Sequence, residues 1–219
     1  MIKAVLWDFG GVILTSPFEA FARYENEIGL PVGFVRTVNA TNPHDNAWAK
    51  LERSDVDLDG FAELFKAEAV ALSDHPAAGT ISGHRVIELL AGDVRPRMVE
   101  ALRRCKQSGL AVACLTNNII SGTSQNRDDE RAGRVAEVMA MFDVVVESSK
   151  AGCRKPEARF YEIACELVGV SAEHCVFLDD LGINLKPAKA MGMATIKVSD
   201  PDDALRELEG HTGLSLLTD

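Results

Sequence analysis

Polar side chains that could do chemistry follow apolar segments at four places in this chain. Asp8 comes directly after the apolar run Ala4–Trp7. The other three groups follow later apolar runs: Thr116, Asn117 and Asn118; Lys155 before Pro156; and Asp179 with Asp180. Taken singly, each residue is typical of a turn or a helix cap. Taken together, these carboxylates, hydroxyl, amides and lysine indicate one shared site.

Carboxylates that meet at one point predict a metal site. Without an opposing charge they repel each other and resist ionisation. Mg²⁺ is the usual cation where carboxylates act together with a phosphate group. A lysine and a hydroxyl nearby would hold phosphate oxygens, and a carboxylate can attack phosphorus to form an aspartyl-phosphate. The residue types therefore predict metal-assisted phosphoryl chemistry.

The elements that must position these groups are readable from the apolar pattern. Five short, continuous apolar runs predict strands buried on both faces of a parallel sheet, at 3–7, 110–115, 144–146, 175–178 and 194–198. Helical patterns lie between the later runs, at 96–107, 128–141, 157–168 and 185–191. This alternation predicts an α/β fold, a Rossmann-like parallel sheet core with right-handed crossovers. Ligands bind at the carboxyl ends of such strands, where the four polar groups would meet.

An all-helical insert is predicted between the first strand and the rest of the sheet. Residues 16–92 show no convincing strand, and their helical patterns include 47–52, 61–71 and 84–90. Ser16 is expected to cap the first helix, with Pro17 as its first residue. We therefore predict a core domain of residues 1–15 and 93–219, and a helical cap domain of residues 16–92.

The composition limits the partners and the compartment. The 219 residues carry a net charge of −10, which argues against nucleic acid or an anionic membrane as a partner. No apolar run approaches the roughly 20 residues that span a bilayer, and Asp8 interrupts the start too early for a signal peptide. The five cysteines form no C-x-x-C pair. We expect a cytoplasmic protein with reduced cysteines.

The residues of the late motifs resemble those of a known protein family. The resemblance is found in Glu147-Ser148-Ser149, in Lys155-Pro156-Glu157, and above all in the segment 176–188, VFLDDLGINLKPA. The chain resembles the haloacid dehalogenase-like (HAD) hydrolase superfamily. It is most similar to the phosphatase-type N-terminal domain of bifunctional epoxide hydrolases and to stand-alone bacterial relatives. The resemblance covers the whole chain, although the helical insert matches only in kind.

The resemblance implies a role for each candidate residue. Asp8 would be the nucleophile and a Mg²⁺ ligand, together with the Gly10 carbonyl oxygen. Asp180 would bind the metal directly and Asp179 would support it through water, while Asn184 would orient the metal loop. Thr116 and the Asn117 N–H would bind the phosphoryl oxygens, and Lys155 would steady the charge of Asp8 and of the phosphate. Phe9 and Gly10 would also belong to the substrate-binding site. The cap would close over a small phosphorylated substrate and select it. The sequence does not decide whether the chain forms a homodimer, which is one possible partner arrangement.

The chain departs from the family pattern at Gly10. HAD phosphatases usually carry there a second Asp, which protonates the leaving group and later activates water. General acid–base catalysis is worth roughly 10²–10⁴ in rate. One hypothesis is a slow phosphatase, or one for good leaving groups such as acyl or sugar-1 phosphates. Another is a C–halogen hydrolase of the dehalogenase branch, whose members also lack this Asp but need no metal. A third is an impaired catalyst that binds a phosphorylated ligand or partner.

Overall fold

The computed structural model of the protein describes residues 1–118 and 129–217. Contacts within this part of the chain divide it into two units. The α/β unit contains Met1–Thr15, Asp93–Asn117 and residues 129–217, and the helical unit contains Ser16–Gly92 and Asn118. Each unit encloses buried apolar clusters of its own.

A parallel sheet forms the centre of the α/β unit. Its strands in the described residues are β1 (Ala4–Trp7), β2 (Ala111–Thr116), β3 (Val144–Glu147), β4 (Cys175–Asp179) and β5 (Ala194–Lys197). They are ordered β3-β2-β1-β4-β5, and neighbouring strands run parallel. All five predicted strands are present, with ends that differ from the prediction by at most one residue. The predicted α/β class is confirmed.

Strand β1 shows why the strand sequences are continuously apolar. All four of its residues are fully buried. Val5 and Trp7 pack into one apolar cluster, whereas Ala4 and Leu6 pack into a second cluster on the other side of the sheet. A strand covered on both faces has no position for a polar side chain until it ends.

The helical unit contains, among the residues described, five α-helices, one short 3-10 helix (Pro76–Thr80) and no strand. The α-helices are α1 (Phe18–Glu27), α2 (Phe34–Ala40), α3 (Ala47–Glu52), α4 (Leu58–Leu72) and α5 (Gly83–Glu88). Helix α3 was predicted exactly as it stands, while α4 starts three residues before the predicted 61, because the Asp57 carboxylate caps it by accepting from Gly60 N at 2.8 Å. Phe61 and Phe65 stack at 5.3 Å in the centre of the unit.

The first two helices depart from the prediction. The expected Ser16 cap is wrong, because α1 starts at Phe18 with Pro17 at the N-cap position and no side-chain cap. Helix α2 was not predicted at all. Its start is capped from a different helix, since the buried Glu25 carboxylate accepts from Gly33 N at 2.6 Å and from Val35 N at 2.8 Å. No local sequence signal marks a cap of this kind.

Six α-helices accompany the sheet in the described part of the α/β unit. They are α6 (Pro96–Gln107), α7 (Asp129–Met139), α8 (Ser148–Ala151), α9 (Ala158–Val168), α10 (Gly182–Ala190) and α11 (Pro201–Thr212). The predicted start of α7 at 128 lies outside the described residues. Helix α10 begins three residues earlier than predicted, and α11 was missed although Asp200 caps its start. Among the described helices, none is both long and apolar enough to cross a membrane.

Candidate active site

The strand order brings Asp8 next to Asp179. Strand β1 lies between β2 and β4, so the groups that follow or end these strands share one edge of the sheet. Asp8 follows β1 directly, and its N–H donates to the Leu178 carbonyl of β4 at 2.9 Å. Thr116 ends β2 and Asp179 ends β4. The parallel topology therefore gathers residues that are more than 60 positions apart in the sequence.

Lys155 lies between two of the carboxylates. Its Nζ is 2.7 Å from Asp8 Oδ1 and 2.8 Å from Asp179 Oδ2. The Lys155 side chain is 1% exposed and that of Asp179 is fully buried. A charge-assisted pair shielded from water in this way is much stronger than a surface ion pair. Lys155 thus joins the nucleophile candidate to the end of β4.

Asp180 lies beside the two carboxyl groups that Lys155 binds, so three carboxyl groups form one cluster. One oxygen each of Asp8, Asp179 and Asp180 lie within 4.8 Å of one another. Burial, with added repulsion from Asp179 and Asp180, raises the pKa of Asp8 well above its usual value, although Lys155 opposes the shift. Burial and the neighbouring Asp179 also raise the pKa of Asp180 to about 6. Full ionisation would leave the cluster negative, which is the condition that a divalent cation relieves.

The buried ammonium stays charged because of the same carboxylates. Burial by itself would lower the pKa of Lys155, but the charges of Asp179 and Asp8 outweigh it and raise that pKa above its ordinary value. Lys155 is therefore a permanent cation at neutral pH and a poor proton donor.

Asp179 is held in place by the turn that follows it. Its Oδ1 accepts from Leu181 N at 2.8 Å, and Asn184 Nδ2 donates to Oδ1 at 3.0 Å and to Oδ2 at 3.1 Å. Asn184 is 3% exposed and lies in the first turn of α10. The role that the resemblance implies for Asn184, orienting the metal loop, stays a prediction.

Asn117 makes a contact that sequence reasoning missed. Its side chain clamps the main chain of Lys155, with Oδ1 accepting from Lys155 N at 2.9 Å and Nδ2 donating to Lys155 O at 3.0 Å. The sequence-based role of Asn117 concerned only its own main-chain N–H. Because the partners are 38 residues apart, no local pattern announces the clamp.

The turn after Asp8 contains two glycines in different situations. Gly11 has φ +78°, and a Cβ there would lie 2.3 Å from Asp180 Oδ2, so a side chain would be strained and would displace the Asp180 carboxylate. Gly10 has φ −72° and ψ 131°, and an added Cβ would meet no heavy atom within 4 Å. The fold therefore favours glycine at position 11, whereas position 10 has an ordinary φ and room for a Cβ.

The other candidates contribute less direct contacts. Phe9 packs its ring into the core, and its N–H donates to Asp8 Oδ1 at 2.6 Å. Thr116 is nine-tenths buried at the end of β2, and it makes no hydrogen bond to the carboxylate cluster in the part of the chain that the structure describes. Arg95 was not singled out in the sequence. Its Nε donates to Leu14 O at 3.1 Å, and its charge works to lower the pKa of Asp180.

Comparisons with curated proteins give relatives of two kinds. The bifunctional epoxide hydrolase 2 of Rattus norvegicus is 37% identical over 218 residues, which is 97% of this chain. The chain spans only 39% of that relative's length. The glyceraldehyde 3-phosphate phosphatase of Methanocaldococcus jannaschii is 26% identical over 208 residues, covering 90% of this chain and 85% of the relative.

Solved structures share the fold at low sequence identity. A dehalogenase covers 98% of both chains with a TM-score of 0.65 at 18% identity. A HAD family enzyme of Bacteroides thetaiotaomicron, in complex with magnesium and inorganic phosphate, has a TM-score of 0.56 at 18% identity. It covers 90% of this chain and 94% of its own.

The sheet with its strand-end carboxylates and lysine, together with these relatives, defines an α/β hydrolytic enzyme. Within that class, the chain belongs to the haloacid dehalogenase-like hydrolase family, whose model matches residues 2–192. The family expected from the sequence motifs is thereby confirmed.

Proposed function

We propose that the protein is a Mg²⁺-dependent phosphatase that acts on a small phosphorylated metabolite through an aspartyl-phosphate on Asp8. The observation that carries the proposal is the buried Lys155 ammonium, bonded to Asp8 and Asp179 inside a cluster of three carboxyl groups. Phosphatase relatives that match over most of the chain support it. The assignment of residues 16–92 as a substrate-selecting cap domain stays a prediction.

The donor set fits Mg²⁺. The ligands are hard carboxylate oxygens, and burial together with mutual repulsion raises the pKa values of Asp8 and Asp180, an effect that a bound cation would oppose. Asp8 and Asp180 would bind the ion directly, with the Gly10 carbonyl, and Asp179 would support it. When bound, Mg²⁺ would neutralise charge on the phosphoryl oxygens and align them with the nucleophile.

The chain's own residues divide the remaining work. Asp8 Oδ1 accepts from both Phe9 N and Lys155 Nζ, so we assign Oδ2 as the attacking oxygen. Oδ2 forms a bond to phosphorus, and the bond from phosphorus to the leaving oxygen breaks. Water then attacks the aspartyl-phosphate, which releases inorganic phosphate and regenerates the Asp8 carboxylate. Lys155 opposes the upward shift of the Asp8 pKa and so favours the ionised carboxylate that the first step needs.

Gly10 limits this reaction at the leaving group. A glycine offers no proton, and the permanent charge of Lys155 makes it a poor donor. The leaving oxygen therefore takes its proton from solvent or from the substrate itself. We expect slow turnover of ordinary esters, by roughly the 10²–10⁴ that general acid catalysis supplies, and faster turnover of acyl or anomeric phosphates.

A phosphate-ester screen with Mg²⁺ tests the proposal. Turnover should be abolished by Asp8→Asn and by EDTA, whereas Asp203→Asn, at an exposed position on α11, should leave it intact. Turnover that survives Asp8→Asn would refute the proposed nucleophile. Turnover that survives EDTA would refute the metal.

Two alternatives are separated by further arms of the same screen. Halide release from 2-haloacids in EDTA would favour a dehalogenase, against which the three-carboxylate cluster argues. Gly10→Asp tests an impaired, ligand-binding protein. The open space at Gly10 accepts the new side chain. Strong activity that appears only in this variant would mean that the natural chain is not an efficient catalyst.

A further inference from the structure

Tyr161 lies fully buried on α9 and touches the site only through other residues. Its hydroxyl donates to the main-chain carbonyl of Asn184 at 2.6 Å. The direction is fixed, because a carbonyl oxygen can only accept. Asn184 is the same residue whose side-chain amide holds both oxygens of Asp179. The Tyr161 hydroxyl is thus attached to the residue that orients the carboxylate.

The first turn of α10 has fewer hydrogen bonds from its own helix than an ordinary helix start. Pro187 lies inside the helix and has no N–H, so the carbonyl of Ile183 loses its ordinary partner in the next turn. The N-cap residue Leu181 supplies no side-chain cap either. The hydroxyl from α9 therefore bonds to a turn that its own helix holds incompletely.

The ring of Tyr161 reaches the lysine side of the cluster. It packs edge-to-face on Phe177, with ring centroids 5.7 Å apart and planes at 71°. The Phe177 ring in turn lies 5.6 Å from Lys155 Nζ, within the range of a cation–π contact. A single side chain therefore supports the carboxylate through its hydroxyl and the ammonium through its ring.

We propose that Tyr161 is a positioning residue, which holds Asn184 and Phe177 and through them sets the geometry of Asp179 and Lys155. Its meaning for catalysis rests on the proposed phosphatase function, but the positioning itself does not. Outer contacts that orient metal-site ligands typically cost 10–100-fold in affinity or activity when they are removed. We expect an effect near the lower end, roughly 10-fold, because only one hydrogen bond is lost.

Tyr161→Phe keeps the ring and removes the hydroxyl. The chain's other tyrosine gives a matched control. Tyr24 is 6% exposed in the helical unit, and its hydroxyl accepts from Ser82 N at 2.9 Å. Tyr24→Phe therefore removes a partly buried hydrogen bond between a tyrosine and the main chain, at a position in the helical unit rather than beside the carboxylates.

The first readout needs neither metal nor turnover. The Leu181 amide donates to Asp179 Oδ1 at 2.8 Å, so its hydrogen exchange reports whether the turn after β4 is closed. In the metal-free protein, Tyr161→Phe should speed this exchange by about 3- to 10-fold, the opening expected for one net hydrogen bond, and Tyr24→Phe should not. Equal exchange of Leu181 in both variants would overturn the proposal.

The second readout is affinity for Mn²⁺ as a spectroscopic probe, followed by electron paramagnetic resonance. We expect roughly 10-fold weaker binding in Tyr161→Phe and wild-type binding in Tyr24→Phe. Kinetics on the most active ester of the screen should show a lower kcat with unchanged KM. Two variants that lose thermal stability equally, with no difference in Mn²⁺ affinity, would reduce Tyr161 to a packing residue and overturn the proposal.

The two proposals fail in different ways. A wild-type protein without phosphatase activity would refute the proposed function, while Leu181 exchange would still decide the positioning role.

Phe177→Leu separately tests the contact that the Tyr161 ring makes through Phe177 to Lys155. The variant removes the ring that lies against Lys155 Nζ, so it should lower kcat. It should leave the hydrogen exchange of the Leu181 amide at the wild-type rate. Faster Leu181 exchange in Phe177→Leu than in Tyr161→Phe would contradict the assignment of the hydroxyl to the carboxylate branch.

Discussion

Replacing Asn117 with alanine should separate the position of Lys155 from its charge. The change removes both hydrogen bonds that clamp the Lys155 main chain, at 2.9 and 3.0 Å, and leaves the ammonium in the protein. Nζ would still be attracted to Asp8 and Asp179, but its main chain would no longer be fixed. The variant therefore asks whether the lysine must be held or only be present.

The structure gives the scale of the expected loss. Each of the two hydrogen bonds is worth about 1 kcal/mol net, so we expect about 2 kcal/mol less free energy of unfolding. In a chain of this length that lowers Tm by about 4–8 °C. A catalytic group displaced by about 1 Å can cost 10²-fold in rate, so kcat should fall by roughly 10²-fold, well beyond what the small loss of folded protein explains.

Denaturant unfolding, kcat on the best ester of the screen and hydrogen exchange of the Lys155 amide would measure these effects. Asn46→Ala is the matched control. Its side chain also clamps main-chain groups, donating to Asn39 O at 2.8 Å and to Thr41 O at 3.0 Å and accepting from Ala49 N at 2.8 Å, but within the helical unit. Asn46→Ala should therefore lose at least as much stability as Asn117→Ala, without faster Lys155 exchange. Wild-type kcat in a folded Asn117→Ala protein would refute the view that the clamp positions the lysine.

Three further predictions concern single side chains. Lys155→Met removes the counterion of two buried carboxylates, so the free energy of unfolding measured in urea at neutral pH should fall by about 3 kcal/mol. This loss should shrink as acid protonates the carboxyl groups, and a loss that is independent of pH would contradict the prediction. Gly11→Ala places a Cβ against Asp180 at a positive φ, so it should cost about 1–3 kcal/mol and weaken Mn²⁺ binding, whereas wild-type affinity would show that the close approach is unimportant. Asp143 accepts from Val112 N at 2.9 Å, and although burial alone would raise its pKa, this bond and the nearby lysine cation lower it. Its stabilising contribution is therefore present above the pKa of an unfolded Asp, about 3.9, and is lost as pH falls through the lower folded value. The free energy of unfolding of Asp143→Asn, measured in urea across this pH range, should therefore equal that of the wild type only in acid.

The five strands were predictable because burial on both faces leaves continuous apolar runs in the sequence. A run such as Ala4–Trp7 predicts a buried strand, and Asp8 after it became a candidate site residue only together with the polar groups that follow the other runs. The rule that ligands bind at the carboxyl ends of parallel strands then selected the residues of the cluster without any coordinates.

The parts that escaped prediction are those held by distant partners. Helix α2 depends on the Glu25 carboxylate of another helix, and Lys155 depends on the side chain of Asn117. Tyr161 lies in the helical pattern predicted at 157–168 and was not singled out there, because only the packing of α9 against α10 reveals its hydroxyl contact. Spacing in the sequence carries no trace of such contacts.

The ordinary backbone at Gly10 has a consequence for how such an enzyme can evolve. The φ of Gly10 is ordinary and an added Cβ meets no heavy atom within 4 Å in the described structure, so we expect that an acidic side chain can enter or leave this position at little cost in stability. Turnover and foldedness are then inherited as separate traits at this residue. A lineage could gain or abandon efficient hydrolysis in one step while the sheet, the lysine and the carboxylate cluster stay unchanged.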